Sequence, residues 1–378
     1  MKHHSLLWLS NVVSLCLLAA LLHASGVWAA DNVDTLPPDT YYKARVIGVI
    51  ASEDKDHVQS SEIVQQVRIK LLEGEKKGIE VVAQNNIPSN RQSQQMVSAG
   101  DTVVVVESYG IDGRGYYIID AYRISSLFIL FFFFVALVLF FGRLRGLSSL
   151  VGLAFSILIL IFYVVPQIAA GNDPFLISIS GSLVILFFSL YLAHGFTKRT
   201  SLALVSSFIT LIASSLLAIA FVAIAHLFGT GTEDALYLQI AGDQAINVKG
   251  LLLGGIIIGM LGVLDDITIG QTVAIDELRK ANATLTPQEL CKRGFAIGKE
   301  HIASLVNTLA LAYAGAALPL LLLFSLNASG QPLWVVVNNE MLAEEIVRTF
   351  IGSIALILAV PISTYLAAYL LPRFKTYR

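Results

Sequence analysis

Apolar and polar positions change rhythm twice along this 378-residue chain. Residues 1–30 pass from a short basic start through an apolar middle to small residues, ending GVWAA. That layout predicts a secretory signal peptide cleaved after Ala29 or Ala30, with an uncleaved signal anchor as the rival reading. Either one delivers the next segment outside the cytoplasm. Residues 31–123 then alternate in short runs: YYKARVIGVI, EIVQQVRIKLL, IEVVAQ, DTVVVVES and GYYIIDAYRI. Turn-forming clusters separate them, so about five strands are expected, forming an OB-like barrel or a curled sheet. Gly100-Asp101 suits a turn entering a strand. Gln84 to Ala99 reads as a polar loop.

From Ser125 the rhythm becomes continuous apolar runs of about 20 residues, the length that crosses a bilayer. The expected spans are 125–141, 148–168, 174–194, 201–228, 249–270, 302–325 and 345–371. The predicted fold is therefore an α-helical membrane bundle of seven helices (124–378), preceded by a small extracytoplasmic β-domain (31–123). Between spans five and six, residues 272–300 are amphipathic. Thr286, Pro287 and Glu289 open a helix there as N-cap, N1 and N3.

Loop charge orients the bundle. GRLRG (142–146), GFTKRT (195–200), residues 272–300 and the tail RFKTYR are basic, while the other loops carry acids and no Lys or Arg. Positive charge stays inside. This predicts the β-domain outside and the C-terminus in the cytoplasm. The sequon Asn282-Ala283-Thr284 then lies inside, where glycosylation is not expected.

Composition agrees: 56% of residues are hydrophobic and 14% charged, and mean hydropathy is +0.73. A soluble protein carries about a quarter charged residues. The net charge of −2 offers no basic field for nucleic acid. Cys16 and Cys291 are too few for a disulfide framework. No nucleotide-binding loop occurs, and no cofactor is expected. In the β-domain His57 is the only histidine and reads as a solvated surface residue.

Three stretches carry a family resemblance: GMLGVLDDITIGQ (259–271), RGFAIGKEHIASLVNTLALAYAGAALPLLLL (293–323) and EEIVRTFIGSIALILAVPISTYLAA (344–368). Together they resemble the YibE/F-like family of bacterial multi-pass membrane proteins, over roughly residues 120–370. The resemblance implies the bacterial cytoplasmic membrane and an architecture, and no reaction. The basic-acidic pair before HIAS is Lys299-Glu300 here.

Charges within apolar spans are costly and usually functional. On a helical wheel of 100° per residue, Gly255, Gly259 and Gly262 fall together as a helix-packing seam. Asp266 and Asp265 flank it. Asp265 is about 24 Å along the helix from Lys249, near the inner edge of a core about 30 Å thick. Span six carries a polar arc of His301, Ser304, Asn307 and Thr308, with His301 starting at the depth of the aspartates. Asp265, Asp266, Thr268, Gln271, His301, Ser304, Asn307 and Thr308 are thus the predicted proton, cation or solute site. Two carboxylates beside a histidine can share protons or hold a cation.

Plainer roles compete at each position. The aspartates suit caps of the inner helix, His301 suits snorkelling, and Asn307 and Thr308 suit helix gluing. Glu344, Glu345 and Arg348 suit a local ion pair. His194 and His226 read as interfacial. Two functions remain in view. One is a transporter or permease component. The other is an envelope assembly protein whose β-domain binds a partner protein or envelope component. A homo-oligomer fits either. An intramembrane hydrolase is disfavoured, because HExxH and GxSxG do not occur. No residue is assigned as catalytic, and the identity of any metal stays open.

Overall fold

The computed structural model describes residues 39–57, 60–88, 95–110, 113–241, 246–326 and 330–373. The segment expected as a signal peptide or anchor, the side chain of His57 and the end of the basic tail lie outside the described residues. Contacts divide the chain into two compact units, which meet in sequence at Leu137 and Val138.

The first unit contains a closed five-stranded barrel, which selects the barrel over the curled sheet. Its strands are β1 (Thr40–His57), β2 (Ser60–Leu71), β3 (Glu80–Pro88), β4 (Thr102–Gly110) and β5 (Gly113–Ala121), in the order β1-β2-β3-β5-β4. All pairs are antiparallel except β3–β5. Two register shifts in β1, at Val46/Gly48 and Val49/Ala51, bend it so that it pairs on both sides. Alternate residues point inward: Tyr42, Ala44 and Val46 on β1, Val67, Ile69 and Leu71 on β2, Val103 and Val105 on β4. Strand β3 runs to Pro88, beyond the loop expected from Gln84. Its inward positions are Ala83, Asn85 and Ile87, and the polar Asn85 hides the period in the sequence. The Asn85 amide donates to Gln65 Oε1 (3.2 Å) and to the Gln95 carbonyl (3.0 Å), so its burial is satisfied.

Glu107 is the barrel's buried charge, at 4% exposure. Its Oε1 receives Lys76 Nζ (2.6 Å), Tyr116 OH (3.0 Å) and Arg114 Nε (3.1 Å), and its Oε2 receives Tyr42 OH (3.1 Å). Burial alone pushes this carboxyl up. The hydrogen bonds from Lys76, Tyr116 and Tyr42 outweigh it and hold Glu107 below the usual carboxylate range.

The second unit is helical. Its elements, starting from the helix that crosses the unit boundary, are α1 (Ile124–Ile159), a π-turn (Leu160–Val164), α2 (Val165–Ala169), α3 (Pro174–His194), α4 (Lys198–Ile224), α5 (Glu233–Ala241), α6 (Val248–Ala281), α7 (Pro287–Ala316), α8 (Leu318–Ser325), α9 (Leu333–Val337) and α10 (Glu340–Leu370). Side-chain caps from Asp173, Thr197, Asn247 and Asn339 start α3, α4, α6 and α10. Thr286 and Glu289 form the expected capping box at α7.

Five helices are long and apolar enough to cross a membrane, or six if the α7–α8 pair, bent by 66°, is one span. The expected count of seven separates 125–141 from 148–168. Here both lie in one helical run, Ile124–Ala169, interrupted at Arg143 by φ 49° and ψ −132°. The interruption is a sharp fold. A Cβ on Gly146 would lie 2.4 Å from the Val138 carbonyl oxygen, whereas eight residues of straight helix span about 12 Å.

Helix α6 is the hub and touches α3, α4, α7 and α10. It continues to Ala281, so Asp265 and Asp266 stand inside a helix and cap nothing. Hydroxyls on α4 return to their own backbone, as in Ser206 to Leu202 O and Thr210 to Ser206 O (both 2.8 Å). These two small hydroxyl residues thereby pack closely with their donors satisfied. The predicted glycine seam is corrected. Gly255 and Gly262 have open space where a Cβ would stand, and Gly259 meets only the Tyr313 hydroxyl. The close approach occurs one step round the helix, where a Cβ on Gly254 would lie 2.3 Å from Ser178 Oγ. Sequence spacing identified a glycine-rich helix but not which glycines face a neighbour.

Beyond α4, Glu340 accepts from the Phe228 and Gly229 amides (2.6 and 3.1 Å), and Glu344 accepts from the Gly231 amide (3.0 Å). The expected local ion pair is Glu345–Arg348 (2.6 Å), while Glu344 holds the loop.

Two stability outcomes follow. Gly254→Ala lowers the melting temperature of the detergent-purified protein, whereas Gly262→Ala leaves it within error. In the barrel, Glu107→Ala orphans the Tyr42 hydroxyl and costs about 1–3 kcal/mol, read as faster hydrogen exchange over residues 40–121. Because the folded carboxyl titrates below its unfolded value, its contribution is full at neutral pH. It fades as pH falls through the ordinary carboxylate range toward the depressed folded value. Exchange in the Glu107→Ala barrel is correspondingly less sensitive to acid.

Candidate functional site

Five residues of α6, Ile258, Leu261, Gly262, Asp265 and Asp266, repeat at helical spacing and so share one face. They form one wall of a cavity of about 430 Å³. Helix α3 supplies a second wall that includes Ile185, Ser189, Ala193 and His194. The third, with Ser149, Leu153, Ser156 and Leu160, comes from the α1 run beyond Arg143. Because each wall is a helix presenting every third or fourth residue, polar groups distant in sequence converge.

Six lining residues are polar: Ser149, Ser156, Ser189, His194, Asp265 and Asp266. Ser189 Oγ donates to Asp265 Oδ2 at 2.7 Å. Asp265 Oδ1 is buried and has no hydrogen-bond partner. Asp266 is exposed and lines the same cavity as His194. Two carboxylates therefore stand on one cavity wall, with one imidazole among the described lining residues, and one buried oxygen has no donor. The arrangement can take up a proton or attract a cation.

Of the predicted site residues, the structure brings together Asp265 and Asp266. Thr268 and Gln271 face packed neighbours of α6 and do not line the cavity. Thr268 Oγ1 bonds Ser207 Oγ (2.7 Å) and the Leu264 carbonyl (2.8 Å). Gln271 Nε2 donates to the Gly294 carbonyl (2.7 Å) and to Thr364 Oγ1 (2.8 Å). Both are fully buried ties between helices. His301, Ser304, Asn307 and Thr308 are exposed on α7 and do not line the cavity. The Thr308 hydroxyl returns to the Ser304 carbonyl (3.0 Å).

His194, read from the sequence as interfacial, is the histidine beside the aspartates. Ser149, Ser156 and Ser189 were missed as well. Their only sequence signal is helical spacing, Ser149/Ser156 seven apart and Ser189/His194 five apart, which singles out nothing until α1 and α3 are seen against α6. Among the described residues no group of three or more His, Cys, Asp or Glu is placed to hold a metal.

A second cavity, of about 510 Å³, lies in the barrel where β3 and β5 part after two paired residues. Asn85, Asn86, Ile118 and Asp120 are on its walls.

Residues 130–373 match a protein-family model described as YibE/F-like protein. No curated protein and no solved structure matches the chain.

The cavity makes an accessibility forecast. In a Cys291→Ser background, Ser189→Cys reacts with a small water-soluble thiol reagent at least tenfold faster than Ser207→Cys, which is fully buried. Mass spectrometry of the labelled protein checks this, and equal rates would show that the cavity is not wetted.

Proposed function

The chain belongs to the YibE/F-like family, and from that premise we propose that it is a transporter or permease component of the bacterial cytoplasmic membrane. Seven spans cross the bilayer, with the fold at Arg143 separating the first two. The β-barrel is outside, the C-terminus is in the cytoplasm, and the cavity opens near the inner leaflet. Basic residues at Arg143, Arg145, Lys198 and Arg199 bracket the helix ends around it, as the positive-inside rule requires. Asp265 and Asp266 bind the proton or cation. Ser189 holds Asp265, and His194 tunes Asp266 in the role first expected of His301.

The observation that carries this reading is Asp265 itself. It is a carboxylate inside an apolar helix, on a cavity wall, with one buried oxygen lacking a donor. A group so placed is expensive unless it is used. The second reading, an envelope assembly protein, draws support from the polar cleft of the barrel, which suits a partner protein or an envelope component.

Proteoliposomes holding a pH-sensitive dye, given proton, sodium or potassium gradients, separate the two. Wild type moves protons or cations, and Asp265→Asn with Asp266→Asn slows that flux at least tenfold. Deleting residues 31–120 leaves it largely intact. Absence of flux under every gradient, with loss of a cross-linked envelope complex on deleting 31–120, supports assembly instead.

A further inference from the structure

We propose that the cavity between α1, α3 and α6 binds a short aliphatic primary amine in its protonated form. This rests on reading the cavity as a cation site and assigns its ligand class. Size is the first consideration. The space is about 430 Å³, whereas a water molecule in the liquid occupies about 30 Å³. A dehydrated alkali ion would rattle in it, and the volume falls among pockets for small organic ligands, about 300–1,000 Å³.

The walls are the second. Leu153, Leu160, Ile185, Leu190, Ile258 and Leu261 surround much of the cavity. They give a carbon chain an apolar lodging, which a bare ion does not use. The polar groups set the head. When ionised, Asp265 and Asp266 can accept but not donate hydrogen bonds, and the buried Asp265 Oδ1 has no donor. An ammonium group brings both the charge and the N–H bonds that this oxygen lacks. The Ser149, Ser156 and Ser189 hydroxyls are further acceptors for its remaining hydrogens.

Other cations fit less well. A hard divalent ion wants six or more oxygens closely gathered, and no three-ligand group is placed for a metal among the described residues. A quaternary ammonium has no N–H to donate and is held by aromatic faces. Among the described residues no Phe, Tyr or Trp lines this cavity. Anions meet two carboxylates.

Isothermal titration of the full chain in detergent tests the assignment, with methyl-, ethyl-, propyl- and n-butylammonium chloride as probes. Tetramethylammonium, sodium and potassium chloride serve as comparators. Wild-type affinity should rise about threefold to fourfold per methylene, the gain expected for burying each CH₂ group. Tetramethylammonium should bind at least tenfold more weakly than n-butylammonium. Asp265→Asn should weaken n-butylammonium by roughly tenfold or more, with an unchanged elution profile and melting curve to show that it folds. The wild-type chain-length series needs no variant. An affinity that is flat along that series overturns the amine assignment. So does binding of sodium or potassium that n-butylammonium does not displace, and there the cation site itself stands. If no cation binds, and proton uptake on acidification is the same in wild type and Asp265→Asn, both the assignment and the cation-site reading fall.

Discussion

Hydrocarbon supplies no hydrogen bonds, so a polar group in an apolar helix must find its partner within the protein or line a cavity. Helix α6 obeys that constraint by dividing its polar residues between two faces. Thr268 bonds α4, and the Gln271 amide nitrogen donates to α7 and α10. Asp265 and Asp266 face the cavity, where Ser189 satisfies one oxygen of Asp265 and leaves the other without a donor. The same helix therefore serves as hub of the bundle and wall of the site. The packed face holds the other in place.

The third wall depends on two interruptions of an otherwise continuous helical run. At Arg143 the backbone leaves helical geometry and brings Gly146 against Val138. Four residues after Ser156, a π-turn begins at Leu160, which itself lines the cavity. Pro166 lies just beyond and has no amide to donate to the preceding turn. The widened turn is then held against α3. Tyr163 and Ser180 share a hydrogen bond of 3.0 Å, and a Cβ on Gly181 would lie 2.5 Å from Val164 Cγ2. A side chain there would have to displace Val164.

The barrel solves a different electrostatic problem. Glu107 is buried, yet it is surrounded by four donors on β1, β5 and the β2–β3 connection. Its oxygens are occupied and its charge is compensated, which marks it as structural. Asp265 is the contrasting case, with one donor and one buried oxygen unserved. Comparing the two carboxylates separates a fully compensated charge from a partly compensated one, by counting donors instead of by burial alone.

Local order in the chain was enough to reveal much of this. Period-two runs located all five strands, apolar length located the long apolar helices, and Thr286-Pro287-Glu289 located the start of α7. Each of these depends on interactions within a few residues. The aspartates were legible too, because charge in an apolar run stands out against any background. What required tertiary structure was azimuth: which side of each helix meets which neighbour. Asn85 was unreadable as a core residue until Gln65 and Gln95 were seen to satisfy it. Gly254 could not be told from Gly255, since one residue of rotation, about 100°, decides whether a glycine touches Ser178 or faces open space. For the same reason His194 replaced His301 beside the aspartates. Sequence alone determined that Asp265 and Asp266 interrupt a long apolar helix. Only packing decided that Ser189 and His194 share their cavity, because that neighbourhood is set by how three helices turn their faces toward each other.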